Sequence, residues 1–208
     1  MTSVYISDAI LVNSTGVSFV SEAEKMQYVT QLKNELGKIQ EVKSDYHITV
    51  NESISYEISQ VHTESGDRYD QLIIWSTHDS TLRKELEVLA RSEDGGQVID
   101  GLEVARADWI QLCNLHNPLQ LVKKRYTSDA LYYNHKPLVI GTTAIAKEYN
   151  YMSSENYSLL LSPLHITSVR PDLAFEIGQC SGSYGGQYML LWQKDANNVW
   201  KVHLDSNL

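Results

Sequence analysis

Polar and apolar positions along the chain change period several times, and each change predicts an element. A short apolar piece over 9–12 opens the pattern. Ser21-Glu22-Ala23-Glu24 then has the spacing of a capping box, and Met26, Val29, Leu32 and Leu36 follow at helical intervals. This predicts a helix over 22–36, stopped by Gly37. From His47 onward the period falls to two: Ile54, Tyr56 and Ile58 alternate with Ser55, Glu57 and Ser59, as in a strand. Glu64-Ser65-Gly66-Asp67 reads as a turn, Leu72-Ile73-Ile74-Trp75 as a central strand, and 86–89 as part of the last one. Charged and Gly-rich residues at 92–96 mark a boundary.

Beyond it, Asp100 and Glu103 are spaced as a cap and an acid, and Leu102, Ala105, Trp109, Leu112 and Cys113 mark an amphipathic helix. Asn117-Pro118 opens a second helix, Asn as cap and Pro at its first position, with Leu119, Val122 and Tyr126 on the apolar face. A short helix near 143–152 places Ile145, Tyr149 and Met152 on one side. Strands follow near 164–169, 172–181, 186–194 and 199–206, with the Gly/Ser-rich stretch 181–186 as a hairpin loop and 195–198 as a hairpin turn. Helices first and antiparallel strands last indicate α+β, a curved sheet wrapped around helices.

The pattern occurs twice. Tyr5-Ile6-Ser7-Asp8-Ala9 returns as Tyr126-Thr127-Ser128-Asp129-Ala130, Tyr56-Glu57-Ile58-Ser59-Gln60 as Phe175-Glu176-Ile177-Gly178-Gln179, and Trp75 as Trp192. The matches keep their order at offsets of 121, 119 and 117 residues, so two copies of one fold are expected, over 1–96 and 97–208. A solenoid is excluded, because its period is much shorter.

Charge narrows the partners. Seventeen basic against 26 acidic residues give a net charge of −9, which disfavours nucleic acid and anionic membrane, since both need a basic face. No apolar run approaches the roughly 20 residues of a spanning helix, and no basic stretch followed by an apolar core opens the chain. A cytoplasmic location is the expectation. Cys113 and Cys180 have no counterparts in the first copy, so they read as buried free thiols rather than a shared disulfide or metal site. There is no phosphate-binding Gly loop, dinucleotide fingerprint or His pair at metal spacing, so no cofactor and no metal are expected.

The stretch Tyr126-Thr127-Ser128-Asp129-Ala130-Leu131-Tyr132-Tyr133-Asn134 resembles the helix-to-strand junction of nuclear transport factor 2-like proteins, in their SnoaL-like and ketosteroid-isomerase-like branch. Ala174-Phe175-Glu176-Ile177-Gly178, Tyr188-Met189-Leu190-Leu191-Trp192 and Val199-Trp200-Lys201-Val202 are similar to its closing strands. The resemblance implies two tandem cone-shaped α+β barrels, each with a curved antiparallel sheet packed on helices, and a pocket between helices and sheet. The first copy lacks the two leading helices. Pairing through sheet faces, as an internal pseudo-dimer or a homodimer, is a further expectation from the family. Its members include isomerases, cyclases, dehydratases and non-catalytic assembly domains, so the fold names no activity.

Where isomerase-like members carry a carboxylate base, this chain has Asn134, and the first copy has Asn13. Asparagine cannot accept that proton, which disfavours ketosteroid-isomerase chemistry. Four other groups are the acid–base candidates. His135 adjoins Asn134, although a loop histidine is more often simply solvated. Glu176 lies on an inner strand and is repeated by Glu57, which favours a structural hydrogen bond. His203 and Asp205 alternate with Trp200, Val202 and Leu204 and so are expected to share a face. The first copy would place Glu87, Leu89 and Arg91 there, leaving the Lys201, His203, Asp205 row unduplicated. Trp109, Tyr126, Tyr133, Asn134, Tyr149 and Tyr151 are the expected ligand-lining residues, although core packing accounts for each aromatic ring alone. The first reading is a protein that binds a small aromatic or polycyclic organic molecule in its second copy. The alternatives are a cofactor-free isomerase, cyclase or dehydratase, or an assembly domain.

Overall fold

The computed structural model describes residues 4–78, 80–93 and 99–207, so the expected boundary at 96/97 lies outside the described residues. The chain divides into two compact units, 1–95 and 96–208. The fold is α+β in both, two cone-like units each built on an open six-stranded sheet.

The first unit runs β1 (Tyr5–Val12), β2 (Ser18–Phe19), α1 (Glu22–Leu36), β3 (Ile39–Thr49), β4 (Ile54–Thr63), β5 (Arg68–His78) and β6 (Thr81–Arg91). The sheet order is β2-β1-β6-β5-β4-β3, with β1 and β6 parallel and the other pairs antiparallel. Ser21 caps α1 through the expected capping box. The inward face of α1 differs from the expected one: Met26 is 56% exposed, while Lys25 and Tyr28 are buried. Tyr28 stacks on Phe19 at 4.2 Å between centroids, and the Lys25 ammonium donates to the Ser7 carbonyl at 2.7 Å. Its long stem can lie along apolar surface while the head stays satisfied. Strand β3 begins earlier than its pattern suggests, because its first six residues are exposed and carry no alternation.

The second unit runs α2 (Leu102–Cys113), α3 (Pro118–Arg125), β7 (Tyr126–Tyr133), β8 (Val139–Ile140), α4 (Thr142–Glu148), a 3-10 turn (Tyr149–Ser153), β9 (Leu159–Arg170), β10 (Leu173–Gly182), β11 (Gly186–Lys194) and β12 (Trp200–Asn207). Its sheet order is β8-β7-β12-β11-β10-β9, the same path as in the first unit, with the parallel pair again joining first and last long strands. Asn117 caps α3 as expected. Asp100 does not cap α2: Gly101, in the left-handed region, holds that place, and the Asp100 carbonyl instead accepts the Trp200 indole N–H at 2.9 Å. On α3, Leu121 turns inward and Leu119 stays exposed. Leu102, Trp109 and Leu112 of α2, Leu121 and Val122 of α3, and Ile145 of α4 pack on one sheet face against Tyr188, Leu190, Trp192 and Val202.

The repeat is also one of register. Trp75 pairs with Lys84 and Ile74 with Leu86, so Glu85 is an extra residue in β6. Trp192 pairs with Val202 and Leu191 with Leu204, so His203 is the extra residue in β12. Both copies thus carry a bulge at the same place, which makes Glu87 the counterpart of Asp205. This corrects the expectation that the carboxylate of the last strand is unduplicated.

Candidate functional site

The bulge decides which side chains of β12 meet the helices. Before it, Trp200 and Val202 point into the core; after it, Asp205 and Asn207 do. His203 therefore does not share a face with Asp205, contrary to strict alternation. It is 1% exposed, its Nδ1 is hydrogen-bonded to the Thr127 hydroxyl at 2.8 Å, and the Asp129 carboxylate lies 3.8 Å away.

Between the helices and the sheet of the second unit lies a cavity of about 460 Å³. That volume falls within the range of small-molecule sites. Trp109, Tyr132 and Tyr188 supply rings to its wall, and Leu159, Leu161 and Leu190 supply aliphatic surface. Tyr151 and Tyr184, both exposed, and Tyr157 meet edge to face or tilted at its rim, with centroids 5.6–6.4 Å apart. The polar groups reaching the cavity include Asp205, Asn134 and Asn207.

Asp205 is 2% exposed. The Tyr126 hydroxyl donates to its Oδ2 at 2.7 Å, and the Tyr149 hydroxyl donates to the same oxygen. Trp109 orients the first phenol by donating its indole N–H to the Tyr126 oxygen at 3.2 Å. Both bonds engage Oδ2, and neither phenol takes Oδ1. Among the described residues Asp205 has no ion pair. Burial raises its pKa to about 6, against the opposing pull of the two phenols. Burial and the carboxylate together push Tyr126 and Tyr149 well above the usual phenol range, so both remain donors.

Glu176 has a different role. Its side chain is fully buried, and its two oxygens accept from Arg106 Nε at 2.8 Å and from the guanidinium's terminal nitrogen at 2.7 Å. The Tyr188 hydroxyl and the Trp192 indole N–H complete the set at 2.7 and 2.9 Å. A bidentate pair with every lone pair used is how a buried charge is tolerated. Glu176 is absent from the cavity wall; it fixes the Tyr188 ring that forms part of that wall. Gly178 makes room for this ring, because a Cβ there would lie 2.2 Å from it. The first unit keeps the same bond: Glu57 accepts from Trp75 at 2.5 Å.

The structure brings Trp109, Asn134, Tyr151 and Asp205 together at the cavity, with Tyr126 and Tyr149 just behind Asp205. Tyr133 points to the opposite face, where its ring lies 5.4 Å from that of His135, and neither lines the cavity. Sequence reasoning missed Tyr132, Tyr157, Tyr184 and Tyr188. Tyr188 is within reach of strand parity, since it shares the face of Leu190 and Trp192. Among the described residues no group of three His, Cys, Asp or Glu side chains could hold a metal ion, and no helix is long and apolar enough to cross a membrane. Cys180 is only half-buried and lines the cavity, unlike the buried Cys113.

No protein-family model matches the chain, and no curated protein does. Solved structures do. A protein of unknown function from Shewanella oneidensis MR-1, described as NTF-2-like, is 12% identical over 52% of this chain and 96% of its own, with a TM-score of 0.47. A ketosteroid isomerase-like protein from Erwinia carotovora atroseptica is 16% identical over 54% of this chain and 96% of its own, with a TM-score of 0.44. A domain of unknown function with a cystatin-like fold from Nostoc punctiforme is 11% identical over 51% of this chain and 74% of its own, with a TM-score of 0.43. Each spans about half of the chain.

Proposed function

We propose that the second unit binds a small organic molecule with a flat aromatic or polycyclic body in the cavity above Asp205. The observation that carries this reading is the wall itself: Tyr and Trp rings around about 460 Å³, with the buried Asp205 carboxyl among the lining groups. Rings provide contact area at little conformational cost, and a single polar group fixes orientation. The test is thermal denaturation of the intact chain with a panel of one- to three-ring phenols, ketones and amines, beside Leu161→Trp, which fills the cavity. Stabilisation of the wild type that the variant loses is the expected result. No shift by any compound, or equal shifts in both proteins, contradicts it.

A second reading is proton transfer to or from the bound molecule by Asp205, favoured by a pKa of about 6. A carboxyl near neutrality serves as either acid or base. With 2-tetralone in D2O, Asp205 as base would speed exchange of the α-protons above the buffer rate, and Asp205→Asn would abolish the gain. Exchange at the buffer rate in the wild type rules this reading out for that class of ketone.

A further inference from the structure

The two units place a carboxylate at the same position after the same bulge, and one of the differences around it concerns charge. In the first, the Tyr5 hydroxyl donates to Glu87 Oε2 at 2.5 Å, while Oε1 receives the Lys84 ammonium and the Gln71 amide, the latter at 2.6 Å. The same ammonium lies 5.8 Å from the Tyr5 ring centroid and 5.6 Å from that of Trp75. In the second unit Tyr126, Trp192 and Asp205 stand for Tyr5, Trp75 and Glu87, by strand register. Tyr126 again takes one carboxyl oxygen. The residue in the place of Lys84 is Val202. Among the described residues the second unit therefore has no counterpart of that cation, and its carboxylate, Asp205, borders a cavity.

From this difference we infer that the ligand of the second unit is an organic cation, a protonated amine on an aromatic body, whose ammonium bonds to Asp205 Oδ1. This rests on the binding reading above and names its ligand class. A carboxylate 2% exposed with no counter-ion is costly, and a ligand that brings the counter-ion offsets that cost. Tyrosine and tryptophan rings around the same cavity favour a cation further through their negative faces. Glu176, the other buried acid of this sheet face, is closed to the ligand because Arg106, Tyr188 and Trp192 together saturate it. The titratable groups whose charges bear on Asp205 are Cys113, Tyr126, Tyr132, Tyr149, Tyr151, Tyr157 and Cys180, all with pKa values pushed upward and all neutral between pH 5 and 8. Asp205 alone among them changes charge in that range.

The test is calorimetric titration of the intact chain with 2-naphthylmethylamine and with its neutral isostere 2-naphthylmethanol. At pH 7.5 the amine binds about tenfold tighter or better, as a charge-assisted hydrogen bond over a neutral one requires. The preference shrinks as pH falls to 5 and Asp205 takes up a proton. In the isosteric Asp205→Asn variant it falls to about twofold or less, with the alcohol still bound. Equal binding of the two probes to the wild type, or a preference for the alcohol, overturns the charge assignment and leaves the cavity reading standing. A preference that survives both Asp205→Asn and low pH also overturns it. Failure of both probes to bind at millimolar concentration overturns the cavity reading and this inference together.

Discussion

Lys84 and Val202 occupy the same place in the two sheets, opposite Trp75 and Trp192 respectively, on the near side of the same bulge. Lys84 pairs with Glu87 inside the first unit, whereas among the described residues no cation pairs with Asp205. In the first unit this pairing is structural. Lys84→Val leaves Glu87, 4% exposed, without its cation. The expected loss is about 3–5 kcal/mol in urea denaturation of the intact chain, because breaking a buried pair strands the remaining charge. A loss under about 1 kcal/mol, the value of a surface pair, would show that Glu87 is well solvated.

Arg106 does the same for Glu176 in the second unit, with side chains 7% and 0% exposed. Arg106→Met is expected to destabilise by about 3–5 kcal/mol. Double replacement of Arg106 and Glu176 by Met should recover much of that loss, since an apolar pair strands no charge. A double variant as unstable as the single one argues against the pairing.

The conformation of Tyr188 rests on the absence of a side chain at Gly178. Gly178→Ala forces the ring off Glu176 and into the cavity. Overpacking of this kind costs about 1–3 kcal/mol, and ligand affinity should fall with it. Crystallography of the variant checks the ring directly: an unmoved Tyr188 contradicts the packing argument.

Much of this was legible in the sequence, for local reasons. The capping box at Ser21, the Asn117-Pro118 start and the Asp195–Asn198 turn depend on neighbours a few residues away, and the structure has all three. The repeat was visible because Glu57 with Trp75 and Glu176 with Trp192 are bonded pairs, so both members persist in each copy. The bulge at His203 was not legible. It adds one residue to β12 without any glycine or proline to mark it, and it moves Asp205 from the outer to the inner face. The inward member of the pair Tyr132 and Tyr133 is not legible for a similar reason: adjacent identical residues give no phase, and only the pairing with β12 assigns it. The burial of Lys25 is not legible either, because a lysine facing the sheet contradicts a hydrophobic pattern and its partner, the Ser7 carbonyl, is 18 residues away.

The elevated pKa of Asp205 links stability to pH with a definite sign. Its folded value, about 6, lies above the ordinary 3.8, so the fold disfavours the charged form. The contribution is therefore full below about pH 4 and lost as pH rises through about 6. Asp205→Asn has no such proton. Between pH 4 and 7.5 the stability of wild type relative to the variant should fall by roughly 3 kcal/mol, the equivalent of about two pKa units. A difference that is flat with pH, or that grows as pH rises, contradicts this.

The two phenols hold that pKa down by donating to the charged form. Tyr149→Phe removes one donor and should move the Asp205 midpoint upward. A downward move would mean that the hydroxyl stabilises the neutral acid instead.

The central claim is that Asp205 is a buried carboxyl, unpaired with any cation among the described residues, in the wall of a cavity. Carbon-detected NMR titration of its carboxyl resonance in the intact chain tests this most directly, without and with 2-naphthylmethylamine. The account predicts a midpoint near pH 6 that drops when the amine is present. A midpoint near that of a solvated aspartate, about 4, unmoved by the amine, would contradict it.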